Sequence, residues 1–276
     1  MKKKDIKKIY YNGNEITSLY LGGNLLYQKT PVYNPKRFAG KVADNSSKSW
    51  WRCSLNYKTY NLPVNEETKE FDFEYNDELT GLGSSFKNIP IERLYHFPDT
   101  SNVTSMSSMF FCDSDHPSEL LSVNLTSFNT SKVTNMSDMF RCAYKLKELD
   151  LTSFDVSNVT NMGYMFAVAN PSTTTLSALT TIKLGIWDMV NVTNNDGMFN
   201  NAVSLTNVTG TIQNIKNSID IHYSPLTNAS AMVFINGLSE VSAKRNITFK
   251  GTTYDTLSEE QIALATSKGW SIVRSS

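Results

Sequence analysis

The sequence predicts a repeat protein with an α/β-type solenoid fold, a small N-terminal β-rich module, and capping strands and helices. Two observations support this class. A ten-residue unit occurs three times along the middle of the chain and a degraded fourth copy follows, and apolar residues at constant spacing accompany the copies. A unit of this size cannot bury its apolar residues alone, so neighbouring units are expected to stack on one another.

Residues 1–30 are predicted to form a small β-meander. Ile9-Tyr10-Tyr11 runs into Asn12-Gly13, a strong hairpin signal, and Gly22-Gly23 marks a second turn. Three short strands are marginally stable alone, and open strand edges readily add to another sheet. We therefore expect this module to anchor the protein to a larger assembly. The expected anchor residues are Ile6, Ile9, Ile16, Leu19 and Leu21.

Residues 36–80 are predicted to form a β-rich cap over the open end of the repeats, because a terminal repeat otherwise exposes its stacking face. Charged and aromatic residues alternate strictly from Glu70 to Tyr75, which indicates a strand with one buried face. Trp50-Trp51 has two interpretations: the rings stack on a sugar, or at least one of them belongs to the core of the cap.

Residues 81–210 contain the repeats. Copies that begin at Ser101, Ser131 and Ser157 share the pattern S-x-V-T-x-M-x-x-M-F, and a degraded fourth copy spans residues 191–199. The second methionine of each copy recurs after 30, 26 and 33 residues. This spacing lies near the leucine-rich-repeat range, and inserted loops around residues 113–118 and 170–177 account for the extra residues.

The residues between these units carry a strand pattern. Leu120-x-x-Val123-x-Leu125 returns as Leu146-x-x-Leu149-x-Leu151 and Leu179-x-x-Ile182-x-Leu184, each matching the leucine-rich L-x-x-L-x-L signature. The predicted fold is therefore an α/β-type leucine-rich-repeat solenoid, continuous from about residue 80. Its parallel strands are expected to centre on Leu94, Val123, Leu149, Ile182 and Val208.

Residues 211–276 are predicted to form C-terminal strand–helix repeats that close the stack. One helix is expected near residues 228–238. A second follows Ser258, where Ser258-Glu259-Glu260-Gln261 forms a capping box, and Gly269 is a plausible stop. The segment from Trp270 to Val273 is expected to be a closing strand.

In the L-x-x-L-x-L pattern, the residues between the inward-pointing leucines face solvent. They make a polar strip of mixed charge, which suits a glycan or a protein loop better than an apolar ligand. The predicted ligand-binding residues are Arg93, Tyr95, Ser122, Asn124, Glu148, Asp150, Thr181, Lys183, Asn207 and Thr209.

Composition limits the possible partners. The 26 basic and 26 acidic residues balance, so neither nucleic acid nor an anionic membrane is expected as a charge-driven partner. No stretch approaches the roughly 20 apolar residues of a membrane helix. Lys7 and Lys8 interrupt any apolar secretion-signal core, so the chain is expected to stay in the cytoplasm or leave it by another route. The three cysteines are expected to be reduced core residues.

Catalytic groups are scarce. None of the three histidines has a metal-ligand spacing, and neither a G-x-S-x-G motif nor a phosphate loop occurs. The loop Asp113-Ser114-Asp115-His116 offers ligands for a hard cation, but such polar loops are usually only solvated. We therefore expect no enzyme, cofactor or metal. The rival class, a glycan hydrolase, needs paired carboxylates, to which Glu148 and Asp150 come nearest.

The repeat F-D-x-S-N-V-T-N-M-x-x-M-F, found within residues 154–169, resembles the BspA-like leucine-rich repeats of bacterial surface proteins. This resemblance implies a right-handed solenoid used for adhesion, with no catalytic residues. Two flanking segments, residues 62–75 and 257–270, resemble segments that accompany these repeats in proteins of gut Bacteroidales and their phages. The opening, from Ile9-Tyr10-Tyr11-Asn12-Gly13 to Leu19-Tyr20-Leu21-Gly22, is similar to a short module that begins many phage tail and virion proteins from such hosts.

The resemblance thus implies a phage virion protein, in the tail or another exposed appendage, assembled in the host cytoplasm. Its expected partners are other virion subunits, through the N-terminal module, and a host surface glycan or protein. The alternative is a bacterial cell-surface adhesin. A tail-associated glycan hydrolase is the third possibility.

Overall fold

The computed structural model describes residues 37–43, 52–75, 77–113, 118–168 and 178–276, and the short strands of the first 28 residues. The chain divides into two compact units, Met1–Asn34 and Pro35–Ser276. The first unit contains two antiparallel strand pairs. They are β1 (Tyr10–Tyr11) with β2 (Asn14–Glu15), and β3 (Ser18–Leu21) with β4 (Asn24–Gln28).

The second unit begins with a four-stranded mixed sheet in the order β10-β9-β5-β8. Its strands are β5 (Arg37–Val42), β8 (Glu70–Glu74), β9 (Ile91–His96) and β10 (Ser122–Val123). The hairpin of β6 (Arg52–Leu55) and β7 (Lys58–Asn61) lies between β5 and β8 in sequence. The alternation that begins at Glu70 does produce a strand with a buried face, because Phe71 and Tyr75 are in the core.

The repeated Met-x-x-Met-Phe segments fold as turns. The residue before the second methionine of each copy adopts a left-handed conformation, with φ of 53° at Ser108, 57° at Asp138 and 56° at Tyr164. The same conformation occurs at Ser84 and Gly197. A left-handed residue interrupts the run of right-handed φ angles that an α-helix requires, so these segments cannot be helical.

The turns stack through backbone hydrogen bonds. The amide of Met106 donates to Asn135 O at 2.9 Å, and that of Phe110 donates to Met139 O at 2.9 Å. The later copies repeat this arrangement, and isolated parallel bridges join Ser105, Asn135, Asn161 and Asn194 in succession. Backbone groups that a turn cannot pair within itself are thus satisfied by the next unit.

Apolar rows fill the inside of the stack. Met106, Met136 and Met162 have no solvent exposure. A row of nearly parallel phenylalanine rings crosses five successive turns, with centroids 5.4–6.2 Å apart; its members are Phe86, Phe110, Phe140, Phe166 and Phe199. The methionines are therefore core residues, as their spacing predicts.

The L-x-x-L-x-L segments form short parallel strands. They are β10, β11 (Glu148–Leu151), β12 (Thr181–Asp188) and β13 (Asn207–Gln213). The expected register is present where strands pair: Val123 is opposite Leu94, and Ile182 lies between Leu149 and Val208.

The C-terminal segment contains a parallel sheet of β14 (Ile219–Ile221), β15 (Arg245–Lys250) and β16 (Trp270–Ser275). Its helices are α1 (Asn228–Gly237), α2 (Gly251–Tyr254) and α3 (Glu259–Ser267). The predicted capping box is confirmed, because the Ser258 hydroxyl accepts from the Gln261 amide and the Gln261 side chain accepts from the Ser258 amide. Helix α1 covers the edge of β13, where the amide of Val208 donates to Ser230 Oγ at 2.9 Å.

The predicted α/β-type leucine-rich-repeat solenoid is wrong. The described residues form mostly small sheets of two to four strands, and their three helices of 10, 4 and 9 residues all lie after residue 227. Strand pairing is not continuous, because β10 and β11 belong to different sheets. The physical reason is that each central unit returns through a left-handed turn, where an α/β repeat would place a helix.

Candidate functional site

The ten predicted ligand-binding residues, which we call the outer strand face, lie on β9–β13 or directly beside them. Nine of them are exposed, and Thr181 is half-buried. The residues between them point inward, and Leu94, Leu149, Ile182 and Val208 are at most 2% exposed. Period-two alternation therefore places these polar side chains outside and these apolar side chains in the core.

The strand register brings these residues together in two blocks. Arg93 is opposite Ser122 in the first block. In the second block, Thr181 lies between Glu148 and Asn207, and Lys183 lies between Asp150 and Thr209. No described strand pairing joins the two blocks, so the hydrogen bonding of the sheet is interrupted between them.

The first block continues onto β5 and β8, which the sequence analysis assigned to the cap. Lys41 on β5 is opposite both Arg93 and Glu70. Glu92 lies 3.1 Å from Arg93 and 3.9 Å from Lys41. These antiparallel pairings join segments that are far apart in sequence. The alternation beginning at Glu70 predicted the strand β8, but the sequence did not predict which strands pair with β5.

Tyr95 is the exposed aromatic side chain of the outer strand face, with 39% of its surface accessible. Partial burial is the largest cause that raises the pKa of its hydroxyl, and the negative charge of Glu70 raises it further. The phenol is therefore uncharged at neutral pH, and it offers both an aromatic surface and a hydrogen-bonding group.

Asn124 and Asp150 have a structural role as well as an exposed position. Asn124 Oδ1 accepts from the Thr126 amide at 3.1 Å and from the Thr126 hydroxyl at 2.7 Å. Asp150 Oδ1 accepts from the same two groups of Thr152, at 3.0 and 2.6 Å. These Asx turns end the strand segments. The bonds from the Thr152 hydroxyl and amide, together with Lys183, lower the pKa of Asp150.

The lowered pKa of Asp150 has the wrong direction for a general acid, which needs a raised pKa near the working pH. Glu148 lies 3.4 Å from Lys183 through its Oε2 atom, in an exposed ion pair. A glycan hydrolase needs one protonated carboxyl group beside one carboxylate. The lowered pKa of Asp150 does not favour Asp150 as the protonated member of such a pair.

The described part of the chain contains no group of three or more side chains arranged to hold a metal ion. Asp113, from the proposed cation loop, accepts from Asn88 Nδ2 at 2.6 Å. The rest of that loop, residues 114–117, lies outside the described residues, as do Trp50 and Trp51.

The predicted anchor residues are not tested by the structure. Ile6, Ile9 and Ile16 lie outside the described residues, while Leu19 and Leu21 are on β3 with side chains that are not described. No helix among the described residues is long and apolar enough to span a membrane.

All three cysteines are buried. Burial raises the pKa of the Cys53 and Cys112 thiols to about 12, which makes them poor nucleophiles at neutral pH. Cys112 and Cys142 occupy the same position in successive turns, and they pack with Tyr144 and Val168. Their position supports the interpretation as small core side chains.

The fold and this site define a class: a protein of stacked turn-and-strand repeats that carries a polar, exposed strand face. The family described as "Mycoplasma protein of unknown function, DUF285" matches residues 80–208 and 118–232, which together cover more than half of the chain. The chain belongs to this family. No curated protein and no solved structure matches it.

Proposed function

We propose that the protein is a non-catalytic binding protein, which recognises a host surface glycan or protein through the outer strand face. The observation that carries this proposal is the alternation on β9–β13. Exposed polar side chains are held at fixed spacing on a buried apolar support, and such a preorganised surface loses little entropy when it binds.

The chemistry of the face supports binding over catalysis. Its charged groups form exposed pairs, Arg93 with Glu92 and Lys183 with Glu148. The pKa of Asp150 is lowered and that of Tyr95 is raised, so both groups keep their usual charge states at neutral pH. The balanced overall charge supports the proposal that the partner is neither nucleic acid nor an anionic membrane.

We place the protein in a phage virion, as a tail or appendage subunit held by its first unit, Met1–Asn34. The support is the resemblance of its N-terminal residues and of the segments around the repeats to phage-encoded proteins from gut Bacteroidales. The alternative is a bacterial cell-surface adhesin, which the resemblance of the repeats to BspA-like proteins favours. Mass spectrometry of purified virions distinguishes the two.

The binding test replaces Arg93, Tyr95 and Lys183 together by alanine. None of the three caps a turn, and the surface ion pairs of Arg93 and Lys183 contribute about 0–1 kcal/mol each to stability. We expect binding of the labelled protein to host cells to fall about tenfold or more, while Tm changes by less than about 3 °C. The control replaces Tyr57, Lys216 and Arg245, which lie outside this face, by alanine.

Unchanged cell binding by the triple variant contradicts the proposal, as does equal loss in the control. The hydrolase alternative is tested separately. Incubation of the protein with host capsular polysaccharide should release no new reducing ends, and their appearance would mean that the protein is an enzyme.

A further inference from the structure

The two blocks of the outer strand face meet at an opening in the sheet. Within residues 118–168, all of which are described, no backbone hydrogen bond joins residues 122–125 to Glu148–Leu151. The same two repeats are joined through their turns, since Met106 and Phe110 both donate to the next unit. We call this opening the seam.

The seam is closed at both ends. Before the strands begin, Lys145 Nζ lies 2.5 Å from Glu119 Oε2. After they end, the hydroxyl of Ser153 donates to Leu125 O at 2.9 Å. These contacts link the two edges before and after the strands. Cα atoms of β10 and β11 lie within 8 Å of each other, whereas an additional strand between them would separate them by about twice 4.8 Å, so the space is too narrow for one.

Unpaired backbone groups line one edge of the seam. Lys147 O accepts from the amides of Thr180 and Thr181, so Lys147 faces β12. Because successive residues of a strand direct their backbone groups to opposite sides, Glu148 and Asp150 face β10. Among the described residues, their backbone groups have no partner across the seam.

Polar side chains surround these backbone groups. Ser122 and Asn124 are exposed on one edge, and Glu148 and Asp150 are exposed on the other. Asn124 Nδ2 lies 3.4 Å from Tyr95 O, which places the amide beside the residue with the exposed ring. The opening therefore presents donors and acceptors next to an aromatic surface.

We propose that the seam is the ligand-binding subsite of the outer strand face and that it takes an uncharged oligosaccharide. This inference rests on the proposed function. Sugar hydroxyl groups both donate and accept, so they can pair with the N–H, C=O, amide and carboxylate groups of the seam, while a sugar ring stacks on Tyr95.

Other ligands fit the seam less well. An apolar ligand would remove the unpaired backbone groups from water without giving them partners. An acidic glycan would meet the carboxylates of Glu148 and Asp150, while the nearby cations Lys145 and Lys183 are already paired with Glu119 and Glu148. An extended peptide needs the space of a strand, and β10 and β11 approach each other too closely to provide it.

The first experiment tests the opening itself by amide hydrogen exchange of the free protein. The amides of Glu148 and Asp150 should exchange at least about 100-fold faster than those of Leu149 and Leu151, which face β12. Comparable protection of all four amides would overturn the inference, because the sheet would then be closed.

The second experiment measures binding to an immobilised panel of neutral, uronic-acid-containing and sulfated oligosaccharides. Asn124→Asp removes the amide donor but keeps the oxygen that caps Thr126, and Ser122→Ala removes a hydroxyl. Each change should reduce binding to a neutral oligosaccharide about tenfold without changing Tm by more than about 2 °C. Asn246→Asp, the same chemical change at an exposed position of β15 outside the outer strand face, is the matched control and should have no effect.

The outcomes separate this inference from the proposed function. If the Arg93, Tyr95 and Lys183 triple variant loses cell binding but the seam variants do not, the seam is overturned and the proposed function stands. Binding only to acidic oligosaccharides, or to none on the panel, also overturns the assignment of ligand class. If the triple variant binds cells normally, the proposed function itself fails.

Discussion

At the scale of single residues, two buried tryptophans differ in one hydrogen bond. Trp187 is 1% exposed and Trp270 is 2% exposed. The indole N–H of Trp270 donates to Ser239 O at 2.8 Å, whereas that of Trp187 has no partner among the described residues. A buried donor without a partner carries a desolvation cost of about 1–3 kcal/mol.

We predict that phenylalanine is tolerated far better at Trp187 than at Trp270. Both changes lose ring volume, but Trp187→Phe also removes the unpaired donor, whereas Trp270→Phe leaves Ser239 O without its donor. The free energy of unfolding should fall by about 1–2 kcal/mol more in Trp270→Phe. Urea denaturation of both variants measures the difference, and equal losses would mean that the indole of Trp187 is hydrogen-bonded in solution.

Asn195 explains why the fourth repeat departs from the pattern. It stands where the other copies have their first methionine, and it is only 5% exposed. Its Nδ2 atom donates to Ser218 O at 3.1 Å, so it links the last turn to the residue that precedes β14. The sequence showed this copy as degraded. The contact with Ser218 depends on how the next segment returns, which the local pattern does not determine.

At the scale of elements, the phenylalanine row is a continuous apolar contact between successive turns. Phe140 is 2% exposed, and its ring lies 5.4 Å from Phe110 and 6.2 Å from Phe166, nearly parallel to both. Removing it affects two interfaces at once, because each unit packs on both neighbours.

We predict that Phe140→Ala lowers the free energy of unfolding by about 3–5 kcal/mol, as expected for a buried phenylalanine. The matched control is Phe111→Ala, in the preceding turn. Phe111 is half-buried and contacts the cations of Lys87 and Arg141, so its loss should be smaller, about 1 kcal/mol. Denaturant unfolding tests both variants, and a loss below that of Phe111→Ala would contradict a central role for the row.

Individual strands were more predictable than the returns between them. Residues such as Leu149 and Ile182 alternate with polar neighbours, and this pattern locates β11 and β12 directly. The returns require a left-handed residue, and the residue types of Ser108 and Tyr164 do not predict one. Asp138 is of a type moderately enriched at positive φ, and Gly197, at the same position of the last copy, adopts it without a steric penalty. The α/β-type leucine-rich-repeat class was inferred from the repeat pattern, and it is wrong.

The exposed residues of the candidate site were predictable for the same reason as the strands, but the seam was not. Leu120-x-x-Val123-x-Leu125 has the same apolar pattern as the copies that pair fully, yet β10 has only two residues and does not pair with β11. Whether two strands approach closely depends on the packing of both repeats. A pattern within one repeat cannot show it.

At the scale of the whole molecule, the two compact units are proposed to have different functions. Unit Pro35–Ser276 contains the described core and the complete outer strand face, while unit Met1–Asn34 contains the two antiparallel strand pairs. A domain with its own core is expected to fold alone. The proposal of a separate anchor can therefore be tested by removing it.

We predict that a chain of residues 35–276 unfolds cooperatively with a Tm close to that of the full chain and binds host cells with unchanged affinity. It should no longer join the larger assembly, because the strand edges that we propose as the anchor are gone. The full-length Arg93, Tyr95 and Lys183 variant is the reciprocal control: it should join the assembly and fail to bind cells. Mass spectrometry of purified particles and cell-binding measurements give both readouts. Incorporation of the truncated chain would place the anchor within residues 35–276, and loss of its fold would show that the second unit depends on the first.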